Sequence, residues 1–264
     1  MPLPFAEEFA GRGVVVTGAC GVIGRWIAEA FADAGARLAL SDHRADALAD
    51  VATGLPGDGH LTHATELTDA DSIAALVAAV ADAWGAPDLV INNAAVYPSG
   101  FLLDIDVAEW DRILGVNLRA PFLVAQGFAK AMIAAGRGGS IVNVSSGAAR
   151  KMRRSVVPYC VSKTALDRLT KGLALELAEY GIRVNAVEPG FAAGSVASPL
   201  SEEHVAAVEA GIPLGRPSGP DDAPAAIAYL ASSAAAYVTG ATLSVDGGNS
   251  IGSAAVYQAK KKAL

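Results

Sequence analysis

The sequence predicts an α/β fold: a single domain built on one doubly wound parallel sheet of about seven strands, with helices on both faces. Three observations predict it. Short, continuously apolar, β-branched runs recur along the chain; stretches with helical apolar spacing separate them; and the first run ends in a glycine-rich turn that opens a helix. A strand that is apolar on consecutive residues is covered on both faces, as parallel strands are, whereas a half-exposed strand alternates.

Taken in order, Gly13-Val-Val-Val-Thr17 reads as the first strand, followed by a helix from Arg25 to Ala34 with Gly35 as its stop. Arg37-Leu-Ala-Leu-Ser41 repeats the strand signal, Ala45 to Ala52 reads as helix, and His60 to Leu67 as a weaker strand. Asp69 caps a helix that runs to Trp84, and Asp88-Leu-Val-Ile-Asn92 is the next buried strand. A long helix from about Val107 to Ala135, the strand Ser140 to Val144, a helix from about Val157 to Tyr180 and the strand Ile182 to Ala186 continue the alternation. A helix from Asp222 to Ala231 leads to the last strand, Thr242-Leu-Ser-Val245. The stretch from Gly190 to Pro220 is the longest break, and loops of that length inside a compact domain are usually lids or binding loops. Residues 190–220 are therefore expected to hold the substrate, and residues 249–264 to form a C-terminal tail.

Composition limits the possible functions. With 264 residues, 52% hydrophobic and 18% charged, the chain can bury a sizeable core, and no linker marks a second domain. A net charge of −7 and a pI near 5.1 argue against a nucleic-acid binder, which needs a basic face. No segment has the signal-peptide pattern or the roughly 20 apolar residues of a membrane span, so a soluble, cytoplasmic protein without a membrane partner is expected. Cys20 and Cys160 are expected as free thiols, and His43, His60, His63 and His204 lack ligand spacing, so no metal is expected.

The turn Thr17-Gly-Ala-Cys-Gly-Val-Ile-Gly24 lies where the first strand feeds the first helix, the place at which open α/β sheets bind ligands. Glycines let the backbone approach a pyrophosphate, and the amides that open the helix supply donors and partial positive charge. Asp42, at the end of the second strand, can accept hydrogen bonds from an adenosine ribose and repels a 2′-phosphate. That favours NAD, although Arg44 two residues on can pair with a phosphate, so NADP stays open. Tyr159 and Lys163, four residues apart on a helix, share one face, so the ammonium can sit beside the phenol and favour its ionised form.

These residues, with Asn92-Asn-Ala-Ala95, Asn117, Ser145-Ser146, Tyr159-Cys-Val-Ser-Lys163, Pro189-Gly190 and Val245-Asp-Gly-Gly248, resemble the compact, single-domain branch of the short-chain dehydrogenase/reductase family from Gly11 to about Gly248. The resemblance implies a Rossmann-like fold and hydride transfer between NAD(P)(H) and a secondary alcohol or carbonyl substrate. It makes Tyr159 the general acid and base, Lys163 its partner, Ser146 the hydrogen-bond donor to the substrate oxygen, and Asn117 part of a proton relay through water. It implies cofactor contacts at Gly18, Cys20, Gly21, Val22 and Ile23 of the turn, at Asp42, and at Glu66 and Leu67 near adenine. Further contacts follow at Asn93, Ala94 and Ala95 beside the ribose, at Tyr159 and Lys163, and at Pro189, Gly190 and Ala192 around the carboxamide. Val245 to Gly248 resembles an interface segment and implies a homotetramer.

The sequence departs from this pattern in having Gly21 rather than a glycine at Val22, Glu66 where aspartate is commoner, Ala95 where glycine is usual, and Gly194 where a threonine often stands. Ser195 is a candidate to stand in for that threonine. The substrate is expected among Tyr97, Ala148, Lys151 to Arg153 and the loop from Phe191 to Ile212. Arg150, Lys151, Arg153 and Arg154 read as a solvent-facing basic loop, with an anionic substrate as the alternative that arginine's affinity for carboxylates allows. The alternative class is a nucleotide-binding scaffold or regulator with the same fold and no turnover.

Overall fold

A computed structural model describes residues 2–97, 100–194 and 201–252. The apolar runs form seven strands: β1 (Gly13–Thr17), β2 (Arg37–Asp42), β3 (Leu61–Ala64), β4 (Leu89–Asn92), β5 (Gly139–Val144), β6 (Ile182–Pro189) and β7 (Thr242–Val245). They pair in the order β3-β2-β1-β4-β5-β6-β7, every pair parallel. Strand order reverses between β1 and β4, which opens a crevice at the carboxyl ends of the central strands.

Both faces are covered because successive residues of a strand point to opposite sides. Val14 and Val16 of β1 pack in one core with Ile27 and Phe31 of α1 (Val22–Asp33) and Ile227 of α8 (Asp222–Ala231). Val15 faces the other core, with Leu76 of α3 (Ala70–Trp84), Phe128 of α5 (Ala120–Ala134) and Ala174 of α6 (Val157–Leu177). Helix α2 (Ala45–Thr53) adds Leu48 and Val51 to the first core. Among the described residues no helix is long and apolar enough to cross a membrane.

Some boundaries shift, with α1 starting at Val22 rather than Arg25, β3 covering only Leu61–Ala64 of the expected His60 to Leu67, and β6 running on to Pro189, and two elements differ in kind from the sequence expectation. The long helix expected from Val107 to Ala135 is α4 (Val107–Leu114), a π-helical turn over Gly115–Arg119, and α5, continuous in the chain. The wider turn adds a residue to the spiral and re-aims the side chains within it, Asn117 among them. The expected loop 190–220 contains α7 (Glu202–Glu209), whose first turn is capped by the Ser201 hydroxyl accepting from the His204 amide at 3.2 Å. That helix buries no residue, so it carries no apolar stripe by which the sequence could announce it. Ser195 and the tail beyond Gly252 lie outside the described residues.

The turn between β1 and α1 is held by contacts that tolerate no side chain. Gly18 has φ 66°, and a Cβ there would stand 2.7 Å from the Ala94 Cα. A Cβ on Gly24 would stand 2.1 Å from the Gly18 carbonyl oxygen, a backbone atom that cannot swing aside. Gly24→Ala is therefore expected to destabilise the fold by about 1–3 kcal/mol through overpacking. Gly172, inside α6 with open space around its Cβ position, is expected to gain about 0.5–1 kcal/mol on replacement by alanine. Thermal melts of the two variants should move in opposite directions; parallel shifts would contradict this packing account.

Candidate active site

The carboxyl edge of the sheet collects the residues that the sequence singles out. Beyond β1, Thr17 Oγ1 accepts from the amides of Asn93 (3.1 Å) and Ala94 (3.2 Å), and Asn93 Nδ2 donates to the carbonyls of Thr17 (2.9 Å) and Gly18 (3.1 Å). The Asn93 side chain thus clamps the glycine turn, and Ala94 abuts it. Ala95 is exposed beside them. Helix α1 begins at Val22 with Gly21 as its N-cap and no side-chain cap, so the amides of its first turn, Ile23 included, meet no capping side chain. This cradle fits a dinucleotide pyrophosphate: a glycine-built approach, a helix N-terminus and no side chain in the way.

Asp42 ends β2 almost wholly buried and takes the Cys20 amide on Oδ2 at 3.1 Å. Arg44 grips the same carboxylate, with Nε 3.0 Å from Oδ1 and a terminal nitrogen 3.3 Å from Oδ2. Burial alone would raise the Asp42 pKa, but hydrogen bonds from Arg44 and from the Cys20 amide outweigh it and hold the group below the ordinary range. Arg44 therefore spends its charge on Asp42. The Cys20 thiol is pushed up by burial and by Asp42, and Cys20 and Cys160 are both free. Glu66 folds back on Thr68, accepting its amide (2.9 Å) and hydroxyl (2.7 Å), while Leu67 packs against the core under α3 and α5.

On the other side of the crevice, Ser146 follows β5 and Tyr159 and Lys163 descend from the first turns of α6. The serine doublet separates cleanly. Ser145 is buried with its hydroxyl toward the Lys163 carbonyl at 3.5 Å. Ser146 takes the Ala148 amide at 3.2 Å, and its hydroxyl lies close enough to the Tyr159 phenol to act on it, favouring the ionised form. Lys163 is only 2% exposed, lies 5.7 Å from the centre of the Tyr159 ring, and donates from Nζ to the Val144 carbonyl at 2.7 Å.

Burial moves both groups toward neutrality. Lys163 falls from 10.5 to about 7 because no carboxylate compensates its desolvation. The Tyr159 phenol is pushed well above its ordinary value, first by burial, then by the neighbouring Tyr97, against smaller opposing effects from Ser146 and the Arg153 charge. Proximity of an ammonium was expected to favour the phenolate. Here desolvation dominates both partners instead, and the lysine sits over the ring rather than at the hydroxyl.

Asn117, fully buried in the π turn, accepts the Val96 amide on Oδ1 (2.8 Å) and donates from Nδ2 to the Val96 carbonyl (2.9 Å) and the Ser162 hydroxyl (3.1 Å). Both ends of its amide are engaged, so the side chain positions the loop after β4 against α6, and a water relay here would run through main-chain groups. Pro189 ends β6; Gly190 donates to the Val245 carbonyl at 2.9 Å, and a Cβ on it would stand 3.0 Å from the Asp246 Cα. Ala192 follows, half-buried.

The basic loop divides. Arg150 pairs with the buried Glu188 at 2.5 Å and also meets Ser244, Lys151 donates to the Asn249 carbonyl, and Arg154 lies over the Phe101 ring at 5.9 Å. Arg153 is exposed, its charge acts on Tyr159, and it has no counter-ion among the described residues. Sequence reasoning placed Tyr97 only loosely in the substrate region. Its ring stacks on that of Tyr159, centroids 4.2 Å apart at 22°, and the two hydroxyls share a 3.1 Å hydrogen bond. An aromatic residue five positions beyond the fourth strand was the available signal, with no spacing to single it out.

A family model described as enoyl-(acyl carrier protein) reductase matches residues 18–250. Sorbitol dehydrogenase of Cereibacter sphaeroides is 34% identical over 250 residues, covering 90% of this chain and 97% of that protein. Cis-4-hydroxycyclohexanecarboxylate dehydrogenase of Sinomonas cyclohexanicum is 39% identical over 245 residues, covering 92% and 98%. The crystal structure of 3-ketoacyl-(acyl-carrier-protein) reductase from Brucella melitensis complexed with NADH matches with a TM-score of 0.83 at 32% identity, over 92% of this chain and 99% of that one. With a family model matching residues 18–250 and relatives of 34% and 39% identity covered over nearly their whole length, the chain belongs to the short-chain dehydrogenase/reductase family.

Proposed function

We propose that this protein oxidises a secondary alcohol, or reduces the corresponding carbonyl, with NAD(H) as the preferred cofactor and Tyr159 exchanging the proton. The observation that carries this is the convergence of Ser146, Tyr159 and Lys163 at the carboxyl edge of the sheet, across the crevice from a glycine cradle shaped for a pyrophosphate. When bound, the nicotinamide supplies the hydride acceptor or donor and, in its oxidised form, a positive charge. In the oxidising direction the phenolate oxygen of Tyr159 takes the hydroxyl proton as the carbon gives up its hydride, and in the reducing direction the phenol returns it. Ser146 holds the reacting oxygen and stabilises the charge that grows on it. Lys163, poised near neutrality, can hold or release a proton at Nζ beside the phenol.

A homotetramer with residues 245–248 at the contact and a cytoplasmic location go with this assignment. The substrate panel should contain both neutral polyols and hydroxy acids. Relatives act, by name, on each class, and Arg153 is a cation at the site whose charge no described carboxylate takes up. The expected outcome is a change in reduced-nicotinamide absorbance with at least one secondary alcohol, stronger for hydroxy acids than for their neutral amides. Binding of cofactor with no turnover across such a panel would favour a scaffold.

Two variants test the site's electrostatics. Asp42→Ala releases Arg44, so the ratio of kcat/KM with NAD to that with NADP should fall by roughly tenfold or more; an unchanged ratio would separate Asp42 from cofactor choice. For Lys163, the unfolded chain keeps its proton up to about pH 10.5 and the folded chain only to about 7. Between those values the unfolded state binds more protons, so stability rises with pH and the cost of burying this lysine shrinks. Lys163→Met should melt above the parent near neutral pH, with a gap that narrows as pH approaches 10, while turnover is lost throughout. A gap independent of pH would contradict the lowered lysine pKa.

A further inference from the structure

Tyr97 covers the one group through which the proton has to pass. Tyr159 is 5% exposed, whereas Tyr97 is 50% exposed, so the stacked pair has an inner and an outer ring. The inner hydroxyl has one proton and two lone pairs. The Tyr97 hydroxyl, 3.1 Å away, takes one of its positions, and Ser146 acts on the phenol from nearby. A reacting oxygen has to lie within roughly 2.6–3.2 Å of the same phenol oxygen to exchange a proton with it. The Tyr97 oxygen already stands at that distance.

The backbone around Tyr97 is fixed on one side. Asn117 pins both the amide and the carbonyl of Val96, the residue immediately before it, and that asparagine is tied in turn to Ser162 of α6. Tyr97 therefore hangs from an anchored base as a side chain that can turn outward about its own χ angles, at the cost of one neutral hydrogen bond and one ring stack. Each is a weak, few-fold contribution, within what a bound substrate can offset.

We propose that Tyr97 is a displaceable stand-in for the substrate: its hydroxyl occupies the hydrogen-bonding position on Tyr159 that the reacting oxygen takes, and its ring forms the movable cover of the site. The proposal rests on the assignment of Tyr159 as the proton carrier. Tyr97 is on this account a positioning residue. It keeps the phenol buried and neutral until a substrate oxygen replaces its own, and it opposes every substrate by the contacts that have to be broken.

The test is steady-state kinetics of Tyr97→Phe, Tyr97→Ala and Tyr159→Phe against the parent, with NAD and the best secondary alcohol from the panel, across pH. Tyr97→Phe keeps the stack and removes the hydroxyl, so KM should fall by roughly two- to tenfold with kcat little changed. Because Tyr97 raises the Tyr159 pKa, the acidic limb of the kcat/KM profile, which reports the enzyme before the alcohol binds, should move to lower pH. The kcat profile, which reports the complex from which Tyr97 is already displaced, should stay in place. Tyr97→Ala should show the same pH shift. A rise in KM with a fall in kcat would show that Tyr97 holds the substrate rather than yields to it, and unchanged profiles would show a merely structural stack; either result overturns the proposal. Full activity in Tyr159→Phe would instead overturn the assignment of the proton carrier, so the two failures are distinguishable.

Discussion

The structure depends on burying a lysine beside a phenol with no carboxylate to compensate it. Lys163 is held by a single carbonyl, that of Val144 at the end of β5, and by the face of Tyr159. Such an arrangement survives only where the surroundings fix it, and they do so from two sides. A buried polar ladder runs from Asn92 on β4 through Asn143 on β5 to Thr170 on α6, by contacts of 2.9 and 2.8 Å, and locks the helix to the sheet. Asn117 and Ser162 lock the upper end of the same helix to the loop after β4. The costly groups are thus placed by inexpensive, satisfied ones, a division that recurs where sites are preorganised on rigid elements.

The opposite wall of the crevice is built from absence of side chains. Gly18 and Gly24 let β1, α1 and the segment after β4 come within contact distance of one another, and Asn93 spends its amide keeping them there. The buried carboxylate of that wall, Asp42, is satisfied by Arg44 and by the Cys20 amide. On the proposed reading, chemistry and cofactor selection fall to separate, rigid elements that face each other across the crevice. The exposed residues around them, Tyr97 and Arg153 among them, border the space between these elements.

How much of this was legible in the sequence follows from what each element buries. The inner strands were readable because consecutive apolar residues such as Val14 to Val16 face two different cores, whereas the edge strands β3 and β7, mixed in composition and half exposed, gave a weaker signal. Tyr159 and Lys163 were readable because helical spacing alone puts them on one face. Helix α7 was invisible because it buries nothing, and the π turn because widening a helix by one residue leaves composition unchanged. The fates of Arg150 and Arg153, members of one basic run, diverge because Glu188 lies within reach of one and not the other, a contact across 38 residues that no local pattern encodes. The Tyr97–Tyr159 stack, across 62 residues, was hidden for the same reason.

The most direct measurement is turnover by Tyr159→Phe, with its melting temperature and cofactor binding recorded alongside. The ring stack with Tyr97 survives that change, so the fold and the cradle should be kept, and the rate should fall by about a hundred- to ten-thousandfold through loss of the one proton-exchanging oxygen. A folded, cofactor-binding variant that turns over as fast as the parent would contradict the account.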